Sequence, residues 1–140
     1  LSFDVKDILD ALGERAMRWQ WCVLYDLEAY GLGEKLASIL DTTESIRSGG
    51  IWLSASEFVQ LAREIHQTVD GEFQAFLSEI SALDIPVEEL DAPFPKSRGQ
   101  LSIRAVDSTW FEVYAKHRED VERIQAHFSE VRIEDPSQYF

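Results

Sequence analysis

The side chains that could do chemistry in this sequence are His66, His117 and His127, the single Cys22, the carboxylate pair Asp26 and Glu28, and Ser108 beside Asp107. Nitrogen-based zinc sites usually bring histidines together at close helical spacing, such as i and i+4. Here His117 and His127 are ten apart, and His66 closes a different helix, where an imidazolium suits the negative end of the dipole. Capping or surface roles fit these spacings better than a metal. Asp26 and Glu28 project from one face of a strand, and two carboxylates can share acid–base work when their surroundings split their pKa values. The solvent side of a strand backed by Trp21, Val23, Tyr25 and Leu27 gives the same pattern. A nucleophile needs a base and an orienting group, and neither Cys22 nor Ser108 has a histidine at a telling spacing. Cys22 reads as a small buried hydrophobe, and Asp107-Ser108 as a turn. Gly31-Leu32-Gly33-Glu34-Lys35 lacks the third glycine of a dinucleotide loop and the Gly-Lys-Ser/Thr ending of a P-loop. No catalytic, cofactor or metal site is expected.

Charge is the stronger signal. Between Glu64 and Pro95 lie eight carboxylates (Glu64, Asp70, Glu72, Glu79, Asp84, Glu88, Glu89 and Asp91) and no lysine or arginine, against a formal net charge of −13 for all 140 residues. Such a balance disfavours nucleic acid, whose phosphates require clustered cations, and anionic membranes. A basic protein is the simplest complement. Asp84, Glu88, Glu89 and Asp91 surround Phe94, which places charges around an aromatic within a proline-containing irregular stretch, and binding loops favour such stretches. These five residues form the expected partner-binding set. An acidic face also keeps a protein in solution, and the two roles look alike in sequence.

The elements that must position these groups follow from periodicity. With 45% hydrophobic residues and 16 aromatics, the chain can bury a core as one domain over residues 1–140. Val5, Ile8, Leu9 and Leu12 share one face of a helix that Gly13 stops. Residues 19–29 alternate as a strand but also carry a helical stripe, and the aromatics favour the strand. A helix is expected over 34–47 and an extended piece over 51–53. Ser54 and Glu57 then form a capping box that opens a helix running to about His66 on Phe58, Leu61, Ala62 and Ile65. Val69–Leu77 reads as a strand, and residues 78–100 as an irregular segment with a short helical turn after Pro86. Residues 101–106 and 110–115 form a hairpin, 118–128 a helix, and Val131 with Ile133 a last strand. The fold class is α+β, a single mixed β-sheet covered by helices with a C-terminal ββαβ unit. Trp19, Trp21, Trp52 and Trp110 read as core aromatics. Only Arg18 lies beside any of them, which argues against a nucleic-acid stacking platform. An exposed one would make a protein-binding anchor.

One cysteine allows no intramolecular disulfide, and no signal-peptide pattern or membrane-length apolar run is present, which fits a reducing cytoplasm. Gly49-Gly50-Ile51-Trp52-Leu53-Ser54 and Asp107-Ser108-Thr109-Trp110-Phe111-Glu112-Val113-Tyr114, each leading into a helix, together with the size and acidity, resemble the small immunity proteins of bacterial polymorphic-toxin systems. That resemblance implies a cytosolic inhibitor that plugs the active site of one basic toxin, and it assigns no individual residue. Two other expectations stand beside it. One is a small enzyme or ligand sensor with a pocket at the sheet edge or under 78–100. The other is a subunit of an oligomeric assembly.

Overall fold

Helix α1 (Val5–Leu12) forms because Asp4 caps it: its carboxylate accepts from the Val5 N–H at 2.7 Å, while Asp7 accepts from the Asp4 N–H. The helix ends at Gly13, whose φ of 61° suits a residue without Cβ. The structure is a computed structural model and describes residues 3–24, 27–31, 50–92, 94–129 and 131. The expected helix over 34–47 lies outside the described residues. So does the last strand, apart from Val131, which is not in a strand.

After a 3₁₀ turn (Gly13–Arg18) come β1 (Trp19–Leu24), β2 (Glu28–Tyr30), β3 (Gly50–Leu53), α2 (Ala55–Glu64) and β4 (Gln67–Leu77). Then follow α3 (Val87–Asp91), β5 (Leu101–Val106), β6 (Trp110–Ala115) and α4 (Arg118–His127). The sheet order is β3-β1-β4-β5-β6. Strand β2 pairs with the first half of the long β4 (Glu28↔Asp70), while β1 pairs with its second half (Val23↔Phe73, Trp19↔Leu77). Residues 19–29 therefore supply two strand pieces, in keeping with the strand reading over the helical one. Every described pair is antiparallel. The parallel pair of the expected mixed sheet relies on a strand beyond α4, which lies outside the described residues.

Alternation assigns the two faces of the sheet. Trp19, Trp21, Val23, Ile51, Leu53, Phe73, Ala75, Leu101 and Ile103 point toward α1, α2 and α4 and form the main core. Trp21 is stacked on Phe58 of α2 with ring centroids 4.4 Å apart. Helix α2 opens with the expected capping box, Ser54 and Glu57 each accepting from the other's backbone N–H. The opposite face carries Cys22, Leu24 and Phe76, which the 78–100 segment covers.

Two ties join distant parts of the main core. Asp4 also accepts from the N–H and hydroxyl of Thr68, fixing α1 to the start of β4. Asp120, fully buried on the third residue of α4, forms a two-pronged ion pair with Arg15. The β5–β6 turn places Asp107 (φ 48°) and Ser108 (φ 58°) in left-handed conformation without glycine. Asp70 accepts from the Asp107 N–H at 2.9 Å, and the Val69 carbonyl accepts from the Ser108 N–H at 2.9 Å. These bonds to β4 hold a conformation that neither residue prefers alone.

Candidate functional site

The acidic segment is ordered from its apolar residues outward. Ile85 and Leu90 are buried against Cys22, Leu24 and Phe76, with Trp52 and Ile80 at the margin. Gln74 on β4 donates to the Leu90 carbonyl at 2.8 Å, and Gln20 on β1 donates to the carbonyls of Leu77 and Ile80. Ser81 caps a 3₁₀ turn (Ala82–Asp84) through the Leu83 N–H, and Pro86 precedes α3, as the sequence suggested. Within the segment expected to be irregular, a 3₁₀ turn and the short helix α3 are thus pinned to the second face of the sheet.

Arg98 is the organising cation, and it lies outside the stretch that lacks basic residues. Its Nε and Nη2 grip the Glu89 carboxylate (shortest contact 2.8 Å), its own N–H donates to the same group, and Nη2 also donates to the Asp84 carbonyl at 2.8 Å. The Arg98 side chain therefore holds the Glu89 carboxyl below the usual carboxylate range. Glu89, one of the five expected partner-binding residues, is engaged within the chain. Phe94 is half-buried and stacked on Tyr114, with ring centroids 6.1 Å apart. Asp84, Glu88 and Asp91 are exposed, and no ion pair reaches their carboxylates among the described residues. Beside them Leu83 is 86% exposed.

The remaining acids of the stretch are spread out. Glu64 ends α2, Asp70 supports the β5–β6 turn, and Glu79 is exposed just after β4. Glu72 sits on the second face, where it accepts from Gln74 at 3.0 Å and from Ser102 at 3.3 Å. The belt read from sequence thus resolves into a smaller group on 84–91, two acids with local structural roles (Asp70 and Glu72), and Glu64 and Glu79 elsewhere on the chain.

The other chemical candidates are dispersed. His66 follows α2, His117 occupies the N-cap of α4 with Nε2 3.1 Å from the Gln100 Oε1, and His127 ends that helix edge-on to Phe128. No group of three or more His, Cys, Asp or Glu that could hold a metal occurs among the described residues. Cys22 is fully buried, and burial, aided by the Glu72 charge, pushes its thiol pKa up to about 12. Asp26 lies outside the described residues, and Glu28 is exposed on β2.

The space beneath the 78–100 segment is packed with side chains. A cavity of about 520 Å³ opens instead at the β3 end, lined by Met17, Trp19, Gln20, Trp52 and Leu53 with Ser54 nearby, none of them charged. Among the described residues the Trp52 indole N–H has no partner, but it is sealed from solvent and so from any occupant of that groove. A smaller cavity of about 250 Å³ lies at the start of α1, where Asp4 and Asp7 are already bound as caps.

Sequence reasoning missed Arg98, whose partner is nine residues upstream, and the Arg15–Asp120 pair, whose members are 105 apart. A lone arginine just past an acidic run was the one available hint. Comparison with known protein families, with curated proteins and with solved structures gives no match. Among the described residues no helix is long and apolar enough to cross a membrane.

Proposed function

We propose that this protein is an acidic protein-binding module that docks a basic protein, in the manner of an immunity-type inhibitor of a bacterial toxin acting in the cytoplasm. One observation carries this reading. Asp84, Glu88 and Asp91 stand exposed, and without ion pairs among the described residues, on a segment whose backbone is fixed by Arg98, Gln74 and the buried Ile85 and Leu90. Fixed negative charge steers a cationic partner into encounter, and a preformed segment loses little entropy on binding. Phe94 belongs to this reading as a support beneath the surface through Tyr114, and Glu89 as the group that Arg98 uses to set the segment.

The test is kinetic. A basic protein captured on this one should associate more slowly as salt rises from 50 to 500 mM, by roughly a hundredfold if steering operates. Reversing Glu88 and Asp91 to lysine should lower the on-rate about tenfold and leave the melting temperature unchanged. An on-rate indifferent to both salt and reversal refutes the proposal.

A further inference from the structure

We infer that Trp110 is the aromatic anchor of the docking surface and that it stacks on an arginine or lysine of the basic partner; this rests on the acidic-docking reading above. The β5–β6 register pairs Trp110 with Val106, Glu112 with Arg104 and Tyr114 with Ser102. Phe111, Val113 and Ala115 pack against the main core. Trp110, Glu112 and Tyr114 therefore lie on the opposite face, the one that the acidic segment covers. The segment reaches β6 at Tyr114, through Phe94. Trp110, four residues away along the strand, is left 52% exposed, and among the described residues no ring or cation stacks on it.

Between the segment and Trp110 runs a cross-strand row of Glu72, Arg104 and Glu112. Its one cation, Arg104, is 4.0 Å from Glu112. With two carboxylates to one cation this row is net negative, and the exposed aromatic beside it offers an electron-rich ring to a cation. Trp is enriched at the energetic centres of protein interfaces. A partner that meets this face with arginine or lysine satisfies the charge and the ring together. An apolar partner would bury the charges of this face at a desolvation cost that nothing in the partner offsets.

The probe is a blocked octa-arginine peptide titrated at low ionic strength into the ¹⁵N-labelled full chain. Expected is a saturable shift of the Trp110 indole resonance together with the Glu88 and Asp91 amides, and affinity weakened about threefold in Trp110→Ala and less in Trp110→Phe. A Trp110→Ala protein that binds as tightly as the native one, while Glu88→Lys/Asp91→Lys loses binding, overturns the anchor and leaves the acidic-docking reading intact. Binding unaffected by the charge reversal, or none at all, overturns both.

Discussion

Replacing Arg15 with methionine should cost the fold about 3 kcal/mol, near the low end of what breaking a buried ion pair costs. The reasoning starts from an asymmetry within the pair. The Asp120 side chain has 0% exposure, whereas Arg15 keeps 17%. Arg15 also has a second acidic partner, Glu119, 3.2 Å from its Nη1. Methionine retains the apolar stem near Trp19, over whose ring the guanidinium carbon lies at 6.0 Å, so the change removes charge with little loss of packing. It leaves a buried carboxylate that no other cation among the described residues pairs with. The reciprocal change, Asp120→Asn, leaves an arginine that can turn to Glu119 and solvent, and it should cost only about 1 to 2 kcal/mol. For a chain of this size each kcal/mol moves the melting temperature by roughly 3 to 5 °C. Urea unfolding followed by tryptophan fluorescence gives both values, and an unchanged denaturant slope would show that the unfolded state is not the source. If Asp120→Asn proves as damaging as Arg15→Met, or more so, burial of the carboxylate is not what makes the pair matter.

Three further outcomes are expected. Because Arg98 depresses the Glu89 pKa, the ionised pair contributes stability that is fully present above the unfolded glutamate pKa of about 4.3 and is lost as pH falls through the lower folded value. Amide protection across 84–98 should therefore fall in acid before the main core opens, and Glu89→Gln should bring that loosening to neutral pH; protection unchanged down to pH 2 would contradict it. Cys22 should ignore a thiol reagent at pH 8 in the folded protein and react at the rate of unfolding, since burial holds its thiol protonated; prompt stoichiometric labelling would disprove this. Ser54→Ala should lower stability by about 1 kcal/mol through loss of the α2 cap, and a change within error in urea unfolding would show that the cap is dispensable.

What the sequence determined by itself was local. Helix α1 with its apolar stripe and Gly13 stop, the Ser54–Glu57 box and the hairpin around Asp107-Ser108 all appeared as read, because each signal spans a few residues and competes with nothing distant. The turn after Pro86 was legible for the same reason. Tertiary structure decided the rest. Alternation says which residues share a face but not what covers it, so Trp21 and Trp110 look alike in sequence, while one is buried under Phe58 and the other stands exposed. Charge runs likewise count carboxylates without showing which cation returns to them. Arg98 takes Glu89, Tyr114 takes Phe94, and Asp84, Glu88 and Asp91 stay exposed, because pairing depends on distance in space and the folded sheet sets those distances.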